Sequence, residues 1–212
     1  MKATTVIAVL LLVFAVYANA KTIFVDDFEG ETKGDWVFFD LEGKGIWEVV
    51  DFEGRGVFKV NAIDAWPVAT VDGVASLADY DKIWATCSFM VEEGIESCTE
   101  LGLLINPDNI PGNCYFATCE GGNEVGIDEV TLAWHGRVPF KWGLGIWYKM
   151  KIMVSNEGTL YGKMWKENED EPAEWTTQEA LASHLDEDGV GLGVYALHIM
   201  MMSSLPQPRI HC

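Results

Sequence analysis

From Thr22 onward the sequence is interrupted every few residues by Gly, Asp, Asn or Pro, and between the interruptions apolar residues tend to alternate with polar ones. A period of two, broken before a helix could complete three turns, marks short β-strands. Strands are predicted at Thr22–Phe28, Ile46–Asp51, Val57–Val60, Ile83–Glu92, Leu101–Asn106, Cys114–Glu120, Val130–His135, Trp147–Ser155, Thr159–Lys166 and Val190–Tyr195. The segments "EGKG", "DFEGRG", "NPDNIPGN", "CEGGNE", "SNEG" and "DEDG" supply the turns between them. Two stretches depart from the pattern: "ENEDEPAEW" reads as an acidic loop, and Thr177–Leu185 as one or two helical turns capped by Thr177. Ten strands in one domain imply an all-β, two-sheet antiparallel jelly-roll sandwich.

Alternation also assigns faces. In "IWATCSFM", Ile83, Ala85, Cys87 and Phe89 fall on one side and are expected in the core, with Trp84, Thr86 and Ser88 opposite. In "VTLAWH", Val130, Leu132 and Trp134 are expected to point inward, leaving Thr131, Ala133 and His135 outward with Arg137 just beyond.

The first twenty residues carry a different signal. Met1 and Lys2 give a positive start, Val6–Val16 is almost wholly apolar, and Ala18-Asn19-Ala20 has the small residues a signal peptidase requires. Residues 1–20 are therefore read as a signal peptide, and the chain from Lys21 as secreted, without membrane insertion. Once Lys2 leaves with the leader, 33 acids face 13 bases. Such an excess repels polyanions, which excludes nucleic acid as a partner and leaves neutral glycans, cationic surfaces or calcium. Five cysteines in an exported chain allow disulfides. Cys114 and Cys119 are too far apart along a straight strand to bridge, so Cys98 with Cys114 or with Cys119 is the expected pair, and Cys87 reads as a buried small hydrophobe. No cysteine spacing suits zinc.

Several segments together carry a family resemblance: "DDFEG" followed by Trp36, "WYKMKIMV", "GTLYGKMW", "EPAEW" and "DEDGVGLGVY". From about Lys21 to Tyr195 the chain resembles the concanavalin A-like lectin/glucanase jelly roll, in the laminin-G-like form found in bacterial secreted proteins. The resemblance implies two packed antiparallel sheets, one concave, with glycan bound on the concave face in many relatives and hydrolysis in some. It also implies a structural calcium held by an acid of the first strand, a loop carbonyl and an Asp of the last strand. Asp27 and Glu29 are the available first-strand ligands. The domain is thus assigned to residues 21–197. Relatives close with a strand of the type "FDDVVV", whereas residues 198–212 form an anomalous tail. Codons for "HIMMMSS" read one base out of frame encode Asp-Asp-Val, so a frameshift that removes the closing strand, and with it a calcium ligand, is expected.

The chemistry expected of this chain is binding. Glycosidases of the fold need two carboxylates on one face about 5 Å apart, and the best match, "NEVGIDEV", does not alternate so as to supply them; no catalytic residue is assigned. Indole rings stack on sugar faces, and Asn, His and Arg hydrogen-bond sugar hydroxyls. Trp84, Thr86, Asn106, Tyr115, His135 and Arg137 are therefore placed on the concave face as the carbohydrate site. The expected function is a secreted lectin-like module for a glycan or glycoconjugate. The alternatives are a glycoside hydrolase of the same fold and a structural or adhesive module.

Overall fold

The computed structural model describes residues 26, 28, 36–40, 43–62, 65–71, 73–74, 76–93, 98–106, 108, 113–118, 122–130, 132–180, 189–195 and 199–203. They form β1 (Val37–Asp40), β2 (Gly45–Phe52), β3 (Arg55–Ala62), β4 (Pro67–Val71), β5 (Lys82–Val91), β6 (Cys98–Ile105), β7 (Cys114–Thr118), β8 (Glu124–Glu129), β9 (Ala133–Pro139), β10 (Tyr148–Ser155), β11 (Thr159–Lys166), β12 (Thr177–Ala180), β13 (Gly189–Tyr195) and β14 (Ile199–Ser203). Two seven-stranded antiparallel sheets result: a front sheet ordered β1-β4-β13-β6-β7-β8-β9 and a back sheet ordered β12-β11-β10-β5-β14-β3-β2. The all-β, two-sheet jelly-roll sandwich expected from the turn spacing is what forms.

The core lies between the sheets and is built by alternation. Ile83, Ala85, Cys87 and Phe89 of β5 point inward as expected, beside Tyr148, Met150, Ile152 and Val154 of β10. Leu101 and Leu103 of β6, Phe116 of β7, and Val125 and Ile127 of β8 meet them from the front sheet. Burial pushes the Cys87 thiol up to about 12, so it serves as an apolar filler. At one end an aromatic cluster centres on Phe58, whose ring lies 5.1 Å from Phe28, 4.8 Å from Trp47 and 5.8 Å from Trp36. Asp26 fixes this cluster: its carboxylate is buried and accepts hydrogen bonds from the Phe28 amide and, at 2.9 Å, from the Trp36 indole.

Several expectations are corrected. Thr177–Leu185 does not begin as a helix, because Thr177–Ala180 pairs with β11 as an edge strand. Its anchor is tertiary: the Thr177 hydroxyl donates to the Gly136 carbonyl at 2.5 Å, across the sandwich. Val130–His135 is not one strand. A turn closed by Leu132 N to Glu129 O separates β8 from β9, burying Val130 while leaving Leu132 65 % exposed and Trp134 37 % exposed. The closing strand is present rather than lost, since Ile199–Ser203 of the tail pairs with both β3 and β5 in the middle of the back sheet. Backbone pairing asks only for an extended, non-proline segment there. Cys98 and Cys114 sit at opposite ends of the β6–β7 pair, in which Glu100 faces Ala117. Roughly 16 Å of strand separates them, which rules out that disulfide. Cys119 lies outside the described residues, as do residues 1–20, Asp27 and Glu29.

Candidate functional site

The outer face of the front sheet holds the densest chemistry among the described residues. Its middle is lined by small residues: Gly191 of β13 faces Gly102 of β6, and Gly193 faces Glu100. Next to them Glu100 faces Ala117 and Gly102 faces Tyr115 on β7, while Tyr115 in turn faces Asp128 on β8. Glu100, Tyr115 and Asp128 therefore share one face, with the two acids separated by two strand spacings and two residues, roughly 12 Å between Cα atoms.

Two bulges complete the face. At Leu104 (φ 56°) the strand gains a residue, which turns Ile105 outward to pack with Tyr115, Val130 and Trp66. At Gly136 (φ 51°) the register against β8 slips, so Trp134 opposite Asp128 and Arg137 beside Gly126 both point outward although they are three apart. Gly102 is needed for close approach: a Cβ there would lie 2.8 Å from two carbons of the Tyr115 ring, which crosses over it.

All three central groups are nearly sealed, Glu100 and Tyr115 being 1 % and Asp128 5 % exposed. Trp66 Nε1 donates to Glu100 at 3.2 Å. The Tyr115 hydroxyl has no hydrogen-bond partner, and neither acid has an ion-pair partner among the described residues. Burial, reinforced by the Asp128 charge and only partly opposed by Trp66, raises the Glu100 carboxyl well above its ordinary range. Burial also raises Asp128 to about 6, against the pull of His135 and with help from Glu129. Tyr115 is pushed up by burial and then by both acids. The face thus holds two carboxyls on either side of β7, both raised above their ordinary range chiefly by burial. Among the described residues no group of three or more His, Cys, Asp or Glu side chains is arranged to hold a metal ion.

The six residues expected to form one carbohydrate surface do not share one. Tyr115 and Arg137 lie on the outer front face, where Arg137 pairs with Glu124. His135 faces inward at the sheet edge and meets Glu129 at 2.9 Å. Asn106 serves its own loop: its backbone exchanges hydrogen bonds with the Asn113 side chain, and its side chain accepts from the Asp108 amide. Trp84 and Thr86 are on the outer face of the back sheet.

There the acidic loop "ENEDEPAEW" forms a strap. Glu171 takes Lys151 at 2.8 Å and Lys163 at 2.6 Å, and Lys163 also donates to the Pro172 carbonyl at 2.7 Å. Lys163 lies 4.7 Å over the Trp175 ring and Lys151 lies 5.7 Å over Trp84. Although burial alone would raise the Glu171 carboxyl, the two lysines outweigh it and hold it below its ordinary value. Glu171→Ala leaves the buried Lys163 ammonium short of a partner, at a cost of about 2 kcal/mol, reduced from a fully buried pair because Glu171 is half-exposed. Urea titration at pH 7 checks this. The stabilisation exists above the ordinary carboxyl range and disappears as pH falls through the lowered value, so the parent and the variant converge in acid.

The acid pair was missed in the sequence because its members belong to strands separated by β7. Only the even spacing of Glu124 and Asp128, which does put both outward on β8, hinted at the second of them; the expectation that alternation fails there is corrected.

No family model matches the chain, and no curated protein matches it in sequence. Solved structures do match. The cellulose-induced protein Cip1 is 11 % identical, over 85 % of this chain and 94 % of that one, with a TM-score of 0.56. The globular domain of T. cruzi calreticulin is 11 % identical over 91 % and 88 %, with a TM-score of 0.57. Peanut lectin, solved with a nine-residue peptide, is 15 % identical over 92 % and 94 %, with a TM-score of 0.53. These likenesses span nearly the whole of both partners at low identity, and the protein has the concanavalin A-like lectin/glucanase fold.

Proposed function

We propose that this chain is an exported, non-catalytic carbohydrate-binding module whose ligand lies on the outer face of the front sheet, over Asp128 and against Trp134. The observation that carries the reading is the Tyr115 hydroxyl, buried without a hydrogen-bond partner on the strand between those of two carboxyls that form no ion pair among the described residues, with the exposed Trp134 opposite one of them. Hydrogen-bonding groups left unspent beside Trp134 suit a sugar ring, which offers hydroxyls at its edge and an apolar face for stacking. Export rests on the leader-like residues 1–20. Among the described residues no helix is long and apolar enough to cross a membrane.

A broad glycan panel with calorimetric follow-up tests the proposal. Trp134→Ala should weaken the best ligand at least tenfold, about 1.4 kcal/mol, without changing the melting curve. A folded protein that binds no glycan, or a Trp134→Ala variant that binds as tightly as the parent, overturns it. Running the panel with and without chelator tests the calcium expected at Asp27 and Glu29.

A second reading is favoured by the two carboxyls on the same face, both raised by burial. Glu100, raised well above its ordinary range by burial, is the kind of carboxyl that can serve a glycosidase as its acid, with Asp128 on the same face as the candidate partner. Release of reducing ends from the bound glycan, abolished by Glu100→Gln, would establish hydrolysis in place of binding.

A further inference from the structure

We infer that the ligand of the front face carries a protonated amine, and that the site is selective for amino sugars, de-N-acetylated hexosamines, over neutral or N-acetylated ones. This inference rests on the glycan reading above and deepens it.

The face carries two carboxyls, Glu100 and Asp128, that destabilise each other electrostatically. Neither forms an ion pair among the described residues: His135 pulls on Asp128 but pairs with Glu129, and Glu100 has the Trp66 indole. The Arg137 guanidinium, the cation on this face, is engaged by Glu124. A neutral sugar would leave the carboxylate of Asp128 desolvated and unmatched, whereas an ammonium supplies the missing charge and up to three donors. The second observation is Tyr115. Its ring crosses Gly102 on the same face, and its hydroxyl, on a side chain 1 % exposed, finds no partner. A buried hydroxyl in that state loses about 1–3 kcal/mol unless a ligand atom satisfies it. Trp66 meets Glu100 through its indole N–H and Trp134 stands opposite Asp128, aromatic neighbours of a kind that attracts a cation as well as a sugar's apolar side. A divalent metal fits less well, since two carboxyls and one hydroxyl fall short of the six to eight oxygens calcium gathers.

The whole chain points the same way. With a formal charge of −19 it draws polycations toward its surface and repels sulfated or uronic polymers.

Calorimetry on the full chain at pH 6.5, in low and high salt, compares four probes: glucosamine oligomers, N-acetylglucosamine oligomers, glucose oligomers and oligolysine. Glucosamine oligomers should bind at least tenfold more tightly than the N-acetylated form, and salt should weaken the preference. Asp128→Asn should bring the two within twofold, while Trp134→Ala should weaken binding of both. Equal affinity for aminated and acetylated oligomers, or a preference untouched by Asp128→Asn, overturns the amine inference and leaves the glycan reading standing. Oligolysine that matches the glucosamine oligomers, with no binding of neutral sugars, overturns the sugar itself and identifies an amine-bearing protein as the partner. No heat with any probe overturns the inference, and the broad panel then decides the glycan reading separately.

Discussion

Asp128→Asn makes the protein more stable at pH 8, by about 3 kcal/mol. Asp128 has a folded pKa near 6 against an ordinary 3.8. Between those values the folded protein holds a proton that the unfolded chain has released, so stability falls as pH rises through the window and stays low above it. Glu100, raised in the same direction, extends the loss to higher pH. The parent should therefore melt higher at pH 5 than at pH 8. At pH 8 the asparagine variant should melt about 6–12 °C above the parent, given about 2–4 °C per kcal/mol for a domain of this size. Asparagine keeps the shape and removes the charge that must be buried. The Glu171 strap works in the opposite direction at the acid end, so the maximum should fall near pH 5. Calorimetric scans from pH 4 to 9 on both proteins test this. A parent indifferent to pH between 5 and 8, or a variant less stable than the parent at pH 8, would show that the acids are compensated.

Gly162→Ala is the most damaging small change expected within the sandwich. Gly162 sits on β11 opposite Ile152, facing the front sheet. A Cβ added there would lie 2.1 Å and 2.4 Å from carbons of the Phe116 ring. Phe116 is fully buried between the sheets, so its ring has no space to vacate and the sheets themselves must separate. Overpacking of this kind costs about 1–3 kcal/mol and can exceed that where backbone must move. A double-mutant cycle isolates the cause: with Phe116→Leu present, the added methyl should be largely tolerated, giving a coupling energy of about 1–2 kcal/mol. Additive effects would mean that the two residues do not meet.

Much of the architecture was legible locally. The β5 segment shows why: "IWATCSFM" alternates cleanly, and Ile83, Ala85, Cys87 and Phe89 are buried where expected. β10 reads equally well, because Tyr148, Met150, Ile152 and Val154 alternate with Lys149, Lys151 and Met153. Other elements carry no such signal. β4, "PVATV", is buried at every position, so alternation cannot mark its faces. β12 is acidic and short, and becomes a strand only because β11 offers an edge and Gly136 offers a carbonyl. β14 reads as an aberrant tail, yet it fills a gap between two strands that any extended segment could pair.

The candidate site was less legible. Of the six residues expected on one surface, Tyr115 and Arg137 share the outer front face, and the other four lie elsewhere. Trp134 was expected inside because a strand was drawn straight through Leu132, where the chain in fact turns. The spacing within β8 shows only Glu124 on the face of Asp128; the buried acid that shares this face, Glu100, is 28 residues earlier and two strands away.

The sequence by itself determined the strand class, the acidic balance and the inner residues of the regular strands, since each depends on spacing along one stretch of chain. Only the tertiary structure decided which carboxyls meet, that Trp84 and Tyr115 belong to different sheets, and that Trp134 and Arg137 share a face. The physical reason is that strand order and register are set by the whole sandwich. A single extra residue, as at Leu104 or Gly136, exchanges inside for outside beyond it without leaving a mark in the local pattern.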